Sequence, residues 1–324
     1  MKILPVLYFF LCAVILAGGY GCTKFPDPGI IDDPYRPAAD TSALQRRKML
    51  FISIDGIAAN VLNTVKPAFI QELLAKSKYT WNVASAPKPV TNAASWASMM
   101  TGNDTLRHRI YDSTFYATPV DSTNKIPVPV NLTALRHLHN RSQAIQITAI
   151  APWYNLVHTL LADANNRVVT ADDAGTRSQA VEALRTKDPD LVITEFISAQ
   201  QAGIQNGFSD GSVAAALGTI DGYIKEMMTA IQQRPTYQKE NWMVLLTTTQ
   251  GGSGLRNDAN IAPGFMIAYN VRFTPANLFT LTPSISVRKE DVAAQLLYWF
   301  KTAVPSVVSD GRVWVDRFES EFYQ

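Results

Sequence analysis

Short runs of apolar residues recur along the chain and are separated by stretches in which apolar residues follow a helical period. Five runs have the length of buried strands: residues 49–55, 143–150, 190–198, 242–249 and 264–270. Their high Val, Ile, Leu and Met content is typical of strands that are buried on both faces. Such strands, separated by helices, predict an α/β fold: a three-layer α/β/α sandwich with a mainly parallel central sheet.

The stretches between these runs carry apolar residues at the spacing of one helix face. The clearest helix is predicted over residues 211–233, with these residues on one face: Val213, Leu217, Ile220, Ile224, Met227 and Ile231. Further helices are predicted at 66–76, after Trp153, at 175–186 and at 289–302. Because no internal repeat or linker divides the region, residues 48–324 are predicted to form a single domain.

The first 47 residues have a different pattern. Residues 1–21 place one Lys before an apolar run and end in small residues, which is the layout of a secretory signal peptide. Cys22 then follows Gly-Tyr-Gly, which resembles a loose bacterial lipobox and makes Cys22 the predicted lipidation site; an ordinary cysteine after a soluble-export cleavage is the alternative. Residues 22–47 contain four prolines and little periodicity, which is typical of a tether.

These features predict a protein that is held at the membrane by a lipid on Cys22. Thr23, and not Asp, follows the cysteine, which resembles outer-membrane sorting in Gram-negative bacteria. The expected location is therefore the cell envelope, at the outer membrane of such a bacterium.

Composition excludes several classes of protein. Apolar residues make up 47% of the chain and aromatic residues 10%, which excludes a disordered chain. The 29 basic and 27 acidic side chains give a net charge of +2 without any long run of like charge, so no nucleic-acid partner is predicted. The two cysteines are Cys12 and Cys22, so the domain has neither an internal disulfide nor a thiolate metal site.

Four segments, in order, place polar residues where a buried strand ends or a helix begins. They are LFISIDGI (50–57), APKPVTNAASWASMMTG (86–102), DLVITEFISAQQAGIQNGFSD (190–210) and VLLTTTQGGSG (244–254). With HRIYDSTF (108–115), they resemble the alkaline phosphatase superfamily, in the branch of type I phosphodiesterases and nucleotide pyrophosphatases. DGRVW (310–314) is similar to the closing strand of these proteins.

The resemblance implies an alkaline-phosphatase-like sheet and a two-metal chemistry. Two divalent metals, usually zinc, are held by Asp and His side chains, and a Ser or Thr oxygen is the nucleophile. The first segment supplies the metal-binding Asp55, and the nucleophile position of the second falls on Asn92. In the third segment Gln200 and Ile204 stand where Asp and His are expected, and in the fourth Thr249 and Gln250 stand in the place of an Asp-His pair.

Most of these positions hold side chains that cannot perform this chemistry. Asp55 is the only competent ligand among them, because neutral amide, hydroxyl and alkyl groups do not replace carboxylate or imidazole. The Asn92 amide is not a nucleophile, and Thr91 could serve only if the loop shifted. All four histidines (His108, His137, His139 and His158) lie in the first half of the chain. We therefore expect no cofactor, with zinc as the alternative if the protein is active.

Other residues near these segments have structural interpretations. Asp55 is predicted to cap the turn after its strand, with weak cation binding as the alternative. Three acidic residues are candidate replacement oxygen ligands: Glu195, Asp210 and Asp258. Three aromatic residues are core candidates and, alternatively, stacking groups: Trp96, Trp153 and Tyr154. Of the histidines, His108 is expected to orient a loop, His158 to pack in a helix, and His137 and His139 to be solvated or partly buried.

Three hypotheses follow. The first is a catalytically inactive envelope lipoprotein that binds a partner or ligand, such as a glycan, because amides and hydroxyls suit neutral polar ligands better than phosphate. The second is a metal-dependent phosphodiesterase or phosphatase with a displaced site that uses Thr91 and Asp55. The third is a scaffolding subunit of an outer-membrane protein complex.

Overall fold

The computed structural model describes residues 46–84, 91–119, 132–253, 262–305 and 309–323. The predictions for the signal peptide, Cys22, most of the tether and Asp258 lie outside these residues. The strands are β1 (Arg46–Ile54), β2 (Ser77–Ala84), β3 (Ile147–Ala151), β4 (Asn166–Val169), β5 (Leu191–Phe196), β6 (Glu240–Thr247), β7 (Gly264–Tyr269), β8 (Ala276–Asn277) and β9 (Val287–Arg288).

Helices fill most of the connections between the strands. They are α1 (Ala59–Val65), α2 (Ala68–Leu74), α3 (Asn92–Thr101), α4 (Thr105–His108), α5 (Ala134–Arg141), α6 (Asp173–Thr186), α7 (Ser198–Asn206), α8 (Gly211–Gln232) and α9 (Asp291–Trp299). A π-helical turn spans Leu156–Leu160, and short 3₁₀ segments span Tyr237–Lys239, Leu278–Thr280 and Val315–Tyr323. Within the described residues, no helix is both long and apolar enough to cross a membrane.

The strands form one sheet in the order β4-β3-β5-β1-β6-β7-β2-β8, with β9 paired to β2. The half of the sheet from β4 to β6 is parallel throughout. β7 runs antiparallel to both β6 and β2, which makes the sheet mixed but mainly parallel. The carboxyl ends of β1, β5 and β6 therefore meet at one edge, which is where sites form in sheets of this kind.

Helices cover both faces of the sheet, so the predicted α/β/α sandwich is confirmed. One hydrophobic cluster joins α3, α5 and α9 to the sheet, and the other joins α1, α2, α6, α7 and α8. Alternate residues of β1 belong to opposite clusters: Met49 and Phe51 to the first, Leu50 and Ile52 to the second. This two-sided burial accounts for the continuous apolar runs in the sequence.

All five predicted strands are present, with ends that differ by up to a few residues, and β1 begins two residues before the predicted domain start at 48. The predicted helix 66–76 is present as α2, and a separate helix that was not predicted, α1, precedes it. Lys66 has a φ of 49° and caps α1, and Pro67 has no N–H with which to continue it. Residues 310–314 do not form a strand, because their backbone is used otherwise: Gly311 donates to the Gly102 carbonyl and Arg312 to the Asp291 carboxylate.

Candidate functional site

Three polar side chains lie on one face of the sheet at its carboxyl edge. In the parallel pairing of β1 with β5, Ser53 lies opposite Glu195, and Asp55 follows two residues later on the same face. All three residues are fully buried. The Ser53 hydroxyl donates a hydrogen bond to Asp55 Oδ1.

Trp96, on the first turns of α3, joins the two carboxyl groups. Its indole Nε1–H lies 3.2 Å from Asp55 Oδ2 and 3.1 Å from Glu195 Oε1, so both carboxyls share one donor. Trp96 is completely buried and packs edge-on against Phe51. It is therefore a core residue and not the stacking group that its position near the cleft also allowed. The sequence predicted that Asp55 caps the turn after its strand. In the structure its carboxyl group instead accepts hydrogen bonds from the side chains of Ser53 and Trp96.

The Asp55–Glu195 pair holds a proton at neutral pH. Burial raises the pKa of Asp55 to about 6, against the opposing hydrogen bonds from Ser53, Glu195 and Trp96. Burial, and then the charge of Asp55, raise the pKa of Glu195 well above its usual range. One proton shared between the two carboxyls leaves one negative charge on the pair. The sequence analysis identified Glu195 only as a candidate replacement oxygen ligand. Its position within an otherwise apolar strand was the signal that its carboxyl group is buried.

Lys289 lies on the other side of the first turn of α3. Its ammonium Nζ donates to Ser95 Oγ at 3.0 Å and is almost fully buried. Burial lowers the pKa of Lys289 to about 7, and the charges of Glu290 and Asp55 act in the opposite direction. A cation therefore lies within electrostatic reach of Asp55 in the folded chain.

The positions of the lost nucleophile and metal ligands meet in one hydrogen-bonded network. Asn92 Nδ2 donates to Gln200 Oε1 at 2.8 Å, and Thr249 Oγ1 donates to Asn92 Oδ1 at 2.9 Å. Gln200 Nε2 donates to the carbonyl of Gly252 at 2.9 Å and to Asn92 Oδ1 at 3.4 Å. We call Asn92, Gln200 and Thr249 the amide network. The polar side-chain atoms of each member form hydrogen bonds with the other members or with nearby backbone groups.

Gly56 explains how Gln200 fits into this network. The backbone of Gly56 has a φ of 74°, and a Cβ there would lie 2.3 Å from Gln200 Cγ. The turn after β1 therefore requires glycine for two reasons: its left-handed conformation and the Gln200 side chain that lies against it. Gly56 N also points at Thr249 Oγ1, at 3.4 Å.

Thr91, the fallback nucleophile, is the N-cap of α3. Its Oγ1 accepts from Ala94 N at 3.0 Å and donates to the carbonyl of Tyr111 at 3.0 Å. These two bonds hold the entry of the helix against the segment that follows α4. The hydroxyl proton that a nucleophile would lose is already used in the second bond.

Three other candidates take no part in the amide network: two of them are exposed, and the third has a buried amide without hydrogen-bond partners among the described residues. Ile204 is on α7 with 53% of its surface exposed. Asp210 is exposed and caps α8 through Ser212 N at 2.7 Å, and this hydrogen bond lowers the pKa of its carboxyl. Gln250 is fully buried, and neither its Oε1 nor its Nε2 has a partner among the described residues.

His108 holds the chain after α4 onto α3, as the sequence predicted. Ile110 N donates to His108 Nδ1 at 3.0 Å, so Nε2 carries the proton and donates to Ser98 Oγ, also at 3.0 Å. Burial lowers the pKa of His108 to about 4. The geometry therefore requires the neutral form of the ring.

The remaining histidines lie outside the site. His158, which was expected to pack inside a helix, is exposed on the π-helical turn and has Tyr154 against one face, with ring centroids 4.5 Å apart. His137 is partly buried on α5, and burial lowers its pKa. His139, also on α5, lies 3.3 Å from Asn165 Oδ1 through its Nε2.

A cleft of about 980 Å³ opens above the amide network. Its lining residues come from α3, the segment after α4, the end of β3, the β5–α7 connection and the loop after β6: Thr91, Asn92, Ala93, Tyr111, Asp112, Ser113, Thr118, Pro152, Trp153, Glu195, Ile197, Gln200, Gln201 and Ser253. Trp153 therefore faces the cleft, whereas the exposed Tyr154 lies outside this lining. The volume is at the upper end of the usual range for ligand pockets.

These residues do not fit a pair of divalent metals. The described chain contains no group of three or more His, Cys, Asp or Glu side chains that could hold a metal ion. The donors that meet at the amide network are neutral amides and a hydroxyl, which are poor ligands for zinc. Both oxygens of Asp55 are already engaged as acceptors, Oδ1 by the Ser53 hydroxyl and Oδ2 by the indole N–H of Trp96.

Solved structures of the superfamily share this fold. BT1596, a 2-O GAG sulfatase, superposes with a TM-score of 0.64 at 12% identity, over 85% of this chain and 75% of its own. An inactive variant of murine ectonucleotide pyrophosphatase/phosphodiesterase 5, in complex with AMP, gives 0.60 at 10% identity over 82% and 97%. The periplasmic domain of the phosphoethanolamine transferase EptC from Campylobacter jejuni gives 0.55 at 9% identity over 81% and 91%. At these identities the likeness shows a shared fold.

Sequence comparison gives the family itself. No curated protein matches the chain. The family model for type I phosphodiesterases and nucleotide pyrophosphatases, however, matches residues 49–263, which include most of β1, all of β2 to β6 and the whole amide network. The chain therefore belongs to the type I phosphodiesterase/nucleotide pyrophosphatase family of the alkaline phosphatase superfamily.

Proposed function

We propose that this chain is a catalytically inactive member of its family: an envelope lipoprotein, anchored through Cys22, that binds a ligand or scaffolds a partner. The observation that carries the proposal is the amide network. Asn92, Gln200 and Thr249 stand where the family resemblance implies a nucleophile and metal ligands, and they hydrogen-bond to one another.

The nucleophile is the first missing part. Phosphoryl transfer in this family needs an oxygen that can lose its proton and attack phosphorus. The Asn92 amide cannot do so, and its nitrogen and oxygen are both engaged in the amide network. Thr91 has a hydroxyl, but this group caps α3 and donates to the Tyr111 carbonyl.

The positive charge that stabilises a phosphoryl group is the second missing part. Two metals normally supply this charge. Here the donor set does not suit zinc, and the cleft lining includes no Lys, Arg or His side chain among the described residues. Its acidic side chains among the described residues are Asp112 and Glu195, and the ionised carboxylate of Asp112 repels a phosphate ester.

The cleft and the N-terminal features of the chain support a binding role. The cleft has the volume of a ligand pocket although the catalytic groups are replaced. The secretory signal, the lipobox-like Gly-Tyr-Gly before Cys22 and the Pro-rich tether support exposure of the domain at a membrane surface. A glycan ligand or an outer-membrane protein partner is consistent with that location.

The test is hydrolysis by the full chain, purified in detergent without chelator. Aryl phosphate monoesters and diesters are assayed with added zinc, manganese or magnesium, beside the variants Asp55→Asn, Thr91→Val and Thr91→Ser. We expect no turnover above the metal-only background in any of them. Turnover that Asp55→Asn abolishes would overturn the proposal. If Thr91→Val also abolished that turnover while Thr91→Ser retained it, the protein would be the displaced-site phosphodiesterase of the second hypothesis.

A further inference from the structure

We infer that the cleft binds an uncharged oligosaccharide, with the ring of Trp153 as a stacking surface and the amide of Gln201 as a hydrogen-bonding group. This inference rests on the proposed function, since it takes the cleft as a binding site without chemistry. It adds the class of ligand and the residues that select it.

The charges of the described cleft residues disfavour anionic ligands. Of the fourteen residues that line it in the described chain, none is basic and two are acidic. Asp112 accepts hydrogen bonds from Thr114 N and Oγ1, which lower the pKa of its carboxyl and keep it ionised. Among the described lining residues, a phosphate, sulfate or uronate group would meet a negative charge and no positive one.

Trp153 provides a fixed apolar surface at the cleft. Its ring is half-buried and packs on Phe115, with centroids 4.8 Å apart. Asn155 Nδ2 donates to the Ser113 carbonyl at 2.8 Å, which holds the segment of Trp153 to the segment of Phe115. A rigid, half-exposed indole suits the apolar face of a sugar ring, which presents C–H groups with little polarity.

Polar neutral groups lie at the same cleft. Gln200 is fixed in the amide network, whereas the Gln201 side chain is exposed to solvent on the same turn of α7. An amide side chain donates and accepts at once, as sugar hydroxyls do, so the Gln201 amide can make paired hydrogen bonds with neighbouring hydroxyls. A cleft of about 980 Å³ accommodates several sugar units and not only one.

The experiment measures binding of uncharged hexasaccharides to the full chain in detergent by isothermal titration calorimetry and tryptophan fluorescence. The probes are malto-, cello-, xylo-, manno- and laminari-hexaose, with AMP and a heparin hexasaccharide as charged comparisons. We expect at least one neutral probe to bind and both charged probes to fail. Trp153→Ala should weaken that binding by about tenfold, the effect of losing one aromatic contact.

Two further variants distinguish binding in the cleft from binding to the surface around it. Gln201→Ala removes an exposed amide at the cleft and is expected to weaken binding without affecting folding. Tyr154→Ala removes the neighbouring exposed ring, which packs on His158 outside the cleft lining, and should leave affinity unchanged.

The possible failures are distinguishable. If no neutral probe binds, or if binding survives both Trp153→Ala and Gln201→Ala, the inference is overturned. If AMP binds and the hexasaccharides do not, it is overturned in favour of a nucleotide ligand. In each case the proposed function stands as long as the hydrolysis assay shows no Asp55-dependent turnover; such turnover would overturn the proposed function itself.

Discussion

Asn92 and Gln200 face each other across the amide network and exchange two hydrogen bonds. Asn92 Nδ2 donates to Gln200 Oε1 at 2.8 Å, and Gln200 Nε2 donates to Asn92 Oδ1 at 3.4 Å. In the family pattern these positions hold a nucleophile and a metal-binding carboxylate, which require a metal between them. Two amides have no need of one, because each satisfies the other's donor and acceptor.

Removing the Asn92 amide should destabilise the fold. In Asn92→Ala, Gln200 and Thr249 lose buried partners, so we expect a loss of about 2–3 kcal/mol in the free energy of unfolding. Denaturant titration measures it. The matched control is Asn206→Ala on the exposed end of α7, where one hydrogen bond to Ser212 is lost and the expected change is within about 0.5 kcal/mol. Equal effects of the two variants would contradict the role of the amide network.

Gln250→Met should stabilise the fold. Both polar atoms of the buried Gln250 side chain lack partners in the described chain, and an isosteric apolar side chain removes that desolvation cost, a gain of about 1 kcal/mol. Gln295 is the control, because it is equally buried but donates to the carbonyls of Asp291 and Arg312 and accepts from Trp314 N and Val315 N.

Gln295→Met should therefore cost about 3 kcal/mol. Thermal or chemical unfolding of the two variants gives the comparison. A loss of stability in Gln250→Met would mean that a water or a bound group satisfies that amide in solution.

His108 should make stability fall in acid. Its folded pKa is lowered to about 4, so between its normal pKa and that value the unfolded chain binds a proton that the folded chain does not. This contribution is complete above about pH 6.5 and is lost as the pH falls towards about 4. His108→Gln should flatten the unfolding free energy over that range, measured by urea titration at several pH values. An unchanged slope would show that the ring is not buried in its neutral form.

The Asp55–Glu195 pair should make stability fall as the pH rises, which is opposite to the effect of His108. The folded pKa values of both are raised, so the folded chain holds protons that the unfolded chain has released, and stability falls as the pH rises through about 6 and above. Glu195→Gln imitates the protonated carboxyl, because its amide can donate to Asp55 and accept from Trp96. We expect this variant to keep its stability better than the wild type as the pH rises above 4.5, the ordinary pKa of a glutamate carboxyl.

The exposed Glu182→Gln serves as the control for that titration and should follow the wild-type curve. The same urea titrations provide the data. A Glu195→Gln curve that also follows the wild type would show that the two carboxyls do not share a proton in the folded chain.

The sequence predicts four of the five strands in the parallel half of the sheet, missing β4, and only β7 among the described strands of the other half. Strands β1, β5 and β6 are buried on both faces, so their composition alone identifies them. β2 was not predicted because Lys78 and Thr80 interrupt its apolar pattern although both are buried. Lys78 is tolerated there because its Nζ reaches Glu321 at 2.7 Å and lies over the ring of Phe318. These partners are distant in sequence, so no local pattern shows them.

The candidate site could be predicted in its positions but not in its contacts. Aligning the segments with the family placed Asn92, Gln200 and Thr249 at one site, and the structure brings these three together. The same alignment included Ile204, which lies one turn further along α7 than Gln200 and is exposed, because that end of the helix extends beyond the buried part of the site. The pairing of Glu195 with Asp55 depends on strand register, which the sequence does not specify.

The most direct test of the central claim is the metal content of the full chain, purified without chelator and then dialysed against zinc. Inductively coupled plasma mass spectrometry counts the bound ions, and the unfolding temperature with and without a chelator shows whether they matter. The amide network predicts substoichiometric zinc and no change on chelation. Close to two equivalents of zinc, with a lower unfolding temperature once it is removed, would show that this chain keeps the metal centre of its family.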